Sequence, residues 1–335
     1  MSQYGESKRN FKYLNQSMTR VDSLDKATGR ANYAADLSFP DMLVAGALHS
    51  PYASARVIRI DTTKAEAMPG VVAVMTFKDL KKPVSWAYYY YMTERIRYEG
   101  DAVAIVAAEN EQALRAGLCA IEVEFEPLQP VLTIDEALAP GAPLVHEGNP
   151  ECAGNIWSHA SAFVRKGDVE EAFSHCDKIV ERSYSTSQVE HAYMETEAAV
   201  AVPDKNGRMT VYAGCANPFF GRHWAADACN LPRAKTRLIQ TTVGGSFGGK
   251  EELAGLVIGR AAMLAQRTGR AVKYVTSREE SIKCSTKRHP FKLEYKVGVN
   301  RDGRLQAVQC KITETCGAYH MHEWMSFRTK IHAAG

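Results

Sequence analysis

What this chain lacks narrows it first. Its eight cysteines stand at 119, 152, 176, 215, 229, 284, 310 and 316, and no C-x-x-C pair occurs among them. Such scattered positions exclude the usual zinc and iron–sulfur ligand spacings, so a redox centre here needs a cofactor that the thiols do not hold. Long apolar runs are missing too, which leaves no stretch to span a membrane. Met1 to Asn10 is polar and lacks the apolar core of a secretion signal. Without export a disulfide framework is not expected, so buried, reduced thiols and a cytoplasmic location are the expectation. Excess charge of one sign is also absent: 41 Lys and Arg stand against 38 Asp and Glu, a net +3. No basic stripe interleaves with aromatic residues, which excludes nucleic acid as an expected partner. Neither an internal repeat nor a low-complexity tract is found. What is present is ordinary: 335 residues, 45% hydrophobic and 24% charged, enough for two domains with buried cores.

The most informative stretch is Gly244-Gly-Ser-Phe-Gly-Gly-Lys-Glu251. Four glycines around one aromatic ring describe backbone that must approach something closely while a single ring is aimed. Upstream, Arg237–Val243 is apolar and β-branched and reads as a buried strand. Downstream, Leu253, Val257, Ala261 and Leu264 recur at helical spacing, and Gly269 stands where a C-terminal stop belongs. A strand, a glycine loop and a helix N-terminus together favour an anion. The phosphate-loop pattern is met by Gly244, Gly249 and Lys250 but fails at its last position, where Glu251 replaces the magnesium-binding hydroxyl. The plainest alternative is a tight turn in which Glu251 and Glu252 favour the positive helix end.

The whole pattern is α+β. Residues 1–22 form a polar lead-in. Residues 23–137 alternate strands and helices: strands at Leu43–Leu48, Val57–Ile60, Val71–Met75, Ala102–Ala107 and Ile121–Phe125, with helices at Thr63–Met68 and Glu111–Ala120. Residues 138–155, turn-rich around Ala139–Pro143 and Glu147–Pro150, read as a linker. The second region, 156–335, opens with a short helix after Asp168 and a long strand, Lys178–Gln188. Two hairpins follow, turning at Pro203–Gly207 and Asn300–Gly303, with a helix over Phe219–Cys229 and the glycine loop between them. Three further features have bland readings: His191 as a satisfied core histidine, the Tyr88–Tyr91 run as an interface or loop lining, and His320 with His322 as plain histidines without a third ligand.

These segments together resemble the molybdenum-binding subunit of the xanthine dehydrogenase and aldehyde oxidase family. Asp25–Tyr33, Pro69–Val72 and Gly100–Val106 match its α/β hammerhead domain. Glu190–Glu197, Gly244–Lys250, Ser277–Glu280 and Arg288–Phe291 match the first part of its molybdenum-cofactor domain, in the family's order. The resemblance covers residues 20–320. It implies a molybdenum-pterin cofactor, as molybdopterin or its cytosine dinucleotide form, with Phe247 beside the molybdenum and Gly245, Ser246 and Gly248 as the close backbone of that loop. Glu251 matches the acid that contacts the purine. The implied reaction is hydroxylation of xanthine to urate: hydroxide comes from molybdenum, hydride passes to its sulfido ligand, and electrons leave through iron–sulfur and FAD centres on partner subunits. Two departures accompany it. Ala216, in Gly214-Cys-Ala-Asn-Pro218, stands where the family places a glutamine. The family's general-base glutamate is expected beyond residue 335, so no catalytic residue is assigned, the chain reads as truncated and inactive alone, and a separate chain could supply the C-terminal half. Aldehyde oxidation, other family reactions and a non-catalytic assembly module are the alternatives.

Overall fold

The computed structural model describes residues 12–14, 16–80, 89–157 and 163–319. After one helical turn, α1 (Ser23–Ala27), the first region runs β1 (Leu43–His49), β2 (Ala55–Asp61), α2 (Thr63–Glu66), β3 (Val71–Thr76), β4 (Arg95–Ile96), β5 (Ala102–Ala108), α3 (Glu111–Ala120), β6 (Glu122–Pro127) and α4 (Ile134–Leu138). Next come β7 (Cys152–Ala153), β8 (Ile156–Trp157), α5 (Val169–Ser174), β9 (Lys178–Ser185), β10 (Ala198–Pro203), β11 (Met209–Ala213) and α6 (Pro218–Ala228). The remainder is β12 (Thr236–Gln240), α7 (Glu252–Thr268), β13 (Val272–Val275), α8 (Arg278–Cys284), β14 (Phe291–Val299) and β15 (Leu305–Glu314). The expected elements are therefore present.

One seven-stranded sheet, ordered β12-β11-β10-β13-β1-β5-β3, joins the two sequence regions. The joint is β1, which runs parallel to β13 of the second region and antiparallel to β5 of the first. Every residue of β5 is buried. Alternation divides that strand between two cores: Ile105 and Ala107 pack with α7, while Val106 and Ala108 pack with α3 and β2. β12 corrects the sequence reading of a buried strand through Val243. It is the sheet's edge and stops at Gln240, with Arg237 and Gln240 exposed.

α7 is buried from Glu252 through Ala265, not along a single stripe. Glycines inside a helix cost about 1 kcal/mol each against alanine, and here close packing requires them. A Cβ on Gly255 would lie 2.4 Å from the Trp224 ring, and one on Gly259 would lie 2.0 Å from the Tyr91 ring. This corrects the reading of the tyrosine run as an interface or loop lining. Tyr89 and Tyr91 are buried at 5% and 2%, and Tyr91 Oη donates to the Trp224 carbonyl at 2.8 Å. Tyr88, like His320 and His322, lies outside the described residues.

The stretch read as a linker is tied down by Asn155, which has φ 63°. Its Nδ2 donates to the Ala137 and Pro143 carbonyls at 3.2 and 2.9 Å, and its Oδ1 accepts from Val145 N at 2.9 Å. Asp168 caps α5 through Glu170 N and Glu171 N, as its sequence position predicts. The two last strands and β9 form a separate three-stranded sheet, β15-β14-β9.

Candidate functional site

The glycine loop leaves the edge strand and turns back on itself before α7. Gly245, Phe247, Gly248 and Lys250 all have positive φ, at 107°, 52°, 90° and 60°. Phe and Lys rarely adopt this region, so the surroundings must hold them there. The support is the segment Glu190–Glu197, pressed against the loop's underside. A Cβ on Gly244 would come within 2.6 Å of Glu195 Cβ, and one on Gly249 within 2.7 Å of the Tyr193 ring. The glycines are thus needed for close approach, as their density suggests.

Glu195 is the hub of that underside. Its Oε2 accepts the Gly244 N–H at 2.7 Å and pairs with Lys250 Nζ, whose side chain is wholly buried. The ammonium also lies 5.1 Å over the Tyr193 ring. The Tyr193 hydroxyl bonds Glu197, itself fully buried, and Thr276 Oγ1 donates to Glu197 Oε2 at 3.2 Å. Burial, then the charge of Glu197, raises the Tyr193 phenol above its ordinary range, so it stays protonated and donates. Arg278 donates to the Tyr193 and Met194 carbonyls at 2.7 Å each. Lys287 Nζ, at 2.6 Å, and Ser285 Oγ, at 2.9 Å, hold Glu190. Burial opposes the charge on Glu190, but those hydrogen bonds and the Ala192 N–H keep its carboxyl below the usual range.

These contacts close the phosphate-loop reading. A lysine meant for a phosphate must reach outward, and Lys250 points inward to a carboxylate. They also change the reading of His191. It is not a satisfied core histidine: its buried Nδ1 makes no hydrogen bond, lying 4.0 Å from Glu190 Oε1, and its ring stacks on Tyr193. Glu195 Oε1 is likewise buried without a hydrogen-bond partner, facing Gly214.

The outer side looks different. Phe247 is 77% exposed, which excludes a core role for its ring, and Gly248 beside it is open. Ser246 Oγ donates to the Gly249 carbonyl at 2.5 Å and so closes the turn from within. Glu251 stands half-buried at the N-cap of α7 and makes no capping hydrogen bond there. Ala216 is exposed beside the loop, its N–H donating to the Lys250 carbonyl at 2.9 Å. Its neighbours have other tasks: Cys215 is buried, and Asn217 caps α6 through Phe219 N and Phe220 N. Gln240, which the sequence reading passed over, donates to the Cys215 carbonyl at 2.6 Å and braces the same segment. Gly245, Ser246, Phe247 and Gly248 thus form one accessible turn over a buried ionic floor, with Ala216 bonded to its far end at Lys250 and Glu251 opening α7 just after it. All eight cysteines are free; four are buried, and Cys119 is exposed. Among the described residues no three His, Cys, Asp or Glu side chains are grouped to hold a metal, and no helix is long and apolar enough to cross a membrane.

Both regions of the chain are similar to known proteins. Residues 28–129 match the aldehyde oxidase and xanthine dehydrogenase a/b hammerhead domain, and residues 150–335 match the molybdopterin cofactor-binding domain. The chain is 38% identical over 316 residues to the nicotinate dehydrogenase large molybdopterin subunit of Eubacterium barkeri, covering 93% of this chain and 72% of that one. It is 40% identical to a probable xanthine dehydrogenase subunit of Bacillus subtilis, covering 90% of this chain but only 40% of the relative's length. Among solved structures, reconstituted CO dehydrogenase from Oligotropha carboxidovorans superposes with a TM-score of 0.78 at 26% identity, over 88% of this chain and 39% of that one. A hammerhead domain followed by a molybdopterin cofactor-binding domain, with sequence identity running through both, places this chain in the xanthine dehydrogenase and aldehyde oxidase family of molybdenum enzymes.

Proposed function

We propose that this chain is the N-terminal part of the molybdopterin-binding unit of a hydroxylase acting on an electron-poor nitrogen heterocycle, with xanthine the first candidate. The observation that carries this reading is the exposed Phe247 on a glycine loop held from beneath by a buried ion pair, with Glu251 following at the start of α7. The residues present suit a large planar cofactor. The backbone of Gly245 to Gly248 is accessible, Phe247 offers a ring, and the buried pair beneath keeps the loop in place. Molybdenum carried by a pterin dithiolene supplies Lewis-acid and redox chemistry when bound. In this reading the chain's own residues bind and orient: Gly245, Ser246 and Gly248 seat the cofactor, Phe247 covers it, and the Glu251 carboxyl hydrogen-bonds the substrate's ring nitrogens or oxo groups.

The choice of a heterocycle rests on Glu251 and on the substrates for which two relatives are named, nicotinate and xanthine. Likeness to CO dehydrogenase shows that the fold also serves a different substrate. Because the Bacillus relative is matched over 40% of its length, activity belongs to a larger assembly in this reading, with iron–sulfur and flavin subunits taking the electrons. Xanthine-dependent dye reduction by the purified chain alone is expected to be nil. The deciding measurement is molybdenum per protein by mass spectrometry, after expression in a cofactor-competent host with the polypeptide completing the unit. Near-stoichiometric metal supports the reading; no metal, with both polypeptides folded, rejects it.

A further inference from the structure

Three buried rings lead from the helix behind the glycine loop to Tyr319, which follows β15. Trp224 of α6 presses on Gly255, in the first turn of α7 just past the loop. Its ring centroid lies 6.4 Å from that of Tyr89, and Tyr89 lies 4.8 Å from Tyr319. Both separations are those of direct aromatic contact. Tryptophan and tyrosine give up a single electron more readily than other ring side chains, and electrons tunnel best between rings that touch. The end of the path is chemically distinct. Tyr319 Oη donates at 2.7 Å to Oδ1 of Asp101, a buried acid. Burial raises Asp101 to about 6, so it is a carboxylate at neutral pH and can accept a proton. Burial and the Asp101 charge raise the Tyr319 phenol well above its ordinary range, so it does not ionise by itself. The Arg97 guanidinium, 5.9 Å over the ring, opposes positive charge there. Tyr319 therefore loses an electron most easily as its proton crosses to Asp101. Two other phenols meet acids, Tyr193 at Glu197 and Tyr274 at Glu280. Among the described residues neither packs its ring on a tryptophan or a second tyrosine; Tyr193 stacks on His191.

We propose that Trp224, Tyr89 and Tyr319 carry one-electron oxidising equivalents away from the loop, with Asp101 taking the phenol proton. An oxygen-derived radical at the loop takes one electron from the Trp224 ring. Trp224 is restored by one electron from Tyr319, passed across Tyr89. The Tyr319 proton moves to Asp101 Oδ1, which leaves a neutral tyrosyl radical far from the loop. One electron and one proton leave the phenol in total. The purpose rests on the functional reading above, because a redox cofactor on that loop is what the relay would protect. The path itself is tested without the cofactor.

The test starts oxidation at the loop. Ala216 is exposed beside it and Cys119 is exposed elsewhere, so the full chain carrying Ala216→Cys and Cys119→Ser is labelled with a thiol-reactive ruthenium polypyridyl. Peptide mass spectrometry confirms the labelled position. A flash, with a cobalt(III) ammine as electron acceptor, makes ruthenium(III) in place. A neutral tyrosyl radical is expected by transient absorption and freeze-quench electron paramagnetic resonance. Tyr319→Phe, which removes one oxygen from the ring, is expected to abolish it and leave a longer-lived tryptophan radical. Trp224→Phe is expected to slow its formation about tenfold, and Asp101→Asn, which keeps a hydrogen-bond acceptor but no base, by about as much. A tyrosyl radical that survives Tyr319→Phe, or that is lost only in Tyr193→Phe, overturns the relay. So does wild-type formation in a Trp224→Phe chain that keeps its thermal melt; where that chain does not fold, Tyr319→Phe decides. Unchanged formation in Asp101→Asn overturns the proton acceptor. No molybdenum enters this experiment, so its failure leaves the functional reading standing, and molybdenum loading of the completed unit tests that reading separately.

Discussion

Two ion pairs, one on a wholly buried lysine and one half-buried, serve this molecule differently. Lys250 and Glu195 lie under the glycine loop, within the second region. His49 and Glu280 join the end of β1 to α8, across the boundary between regions, at 3.0 Å. Tyr274 Oη also donates to Glu280 at 2.6 Å. His49 Nδ1 faces the Gly100 carbonyl at 2.8 Å and Nε2 faces the carboxylate. Both neighbours only accept, so both ring nitrogens donate and the imidazole is charged. Burial works against that charge, but Cys284 and Glu280 beside the ring raise His49 to about 9. Burial likewise works against Glu280, yet the His49 contact holds its carboxyl below the ordinary range. The contrast teaches where the protein places a charge that pH can remove. The junction between regions is pinned by a histidine; the glycine loop is pinned by a lysine.

The largest expected effect breaks the loop pair. Lys250→Met leaves the Glu195 carboxylate buried and unpaired, and a loss of about 3–5 kcal/mol should show in chemical denaturation. The double variant Lys250→Met with Glu195→Leu sharpens the point. Stability should largely return, because an apolar pair replaces an ionic one, yet the Gly244 amide loses its acceptor. Faster hydrogen exchange at Gly244 in this stable double variant is the expected result. Unchanged exchange would show that the pair does not hold the loop.

Next comes the junction. A histidine whose folded value is raised contributes fully below its unfolded value near 6.5 and loses that contribution as pH rises through about 9. The wild-type chain should therefore lose up to about 3 kcal/mol between pH 6.5 and 9.5, a slope that His49→Gln should flatten. Glu280 acts in the opposite sense: its contribution is present above the ordinary carboxyl value and falls away as pH drops through its lowered one. Equal alkaline slopes in both proteins would refute the charged-histidine assignment. The smallest stability effect is expected at Phe247→Ala, within about 0.5 kcal/mol, because the ring is exposed. Its effect should instead appear in molybdenum retained by the completed unit, where wild-type retention would remove Phe247 from the site.

Much of the architecture is legible in local pattern. Ala102–Ala108 is a continuous apolar run, Asn110 caps the helix behind it, and Asn300–Gly303 turns a hairpin as such residues should. The outer residues of the site were legible for the same reason, since glycines around Phe247 announce a strained loop. The floor was not. Glu195 and Lys250 are 55 residues apart, and nothing in their neighbours' chemistry says that they meet. Lys250 in particular fits a phosphate ligand by local spacing, and only its burial reverses that. Tyr89 and Tyr91 are similar: the run reads as an interface or loop lining until Gly255 and Gly259 of α7 make room for Trp224 and Tyr91.

What the sequence determined by itself are the elements, their order, the family and the loop, because these depend on propensity, alternation and motifs within a few residues. Tertiary structure decided that β1 and β13 weld both regions into one sheet, that α7 is buried all round, and that Lys250 turns inward while Phe247 turns out. Those outcomes depend on which distant surfaces compete for burial, and residues far apart in sequence settle that only when the chain is packed.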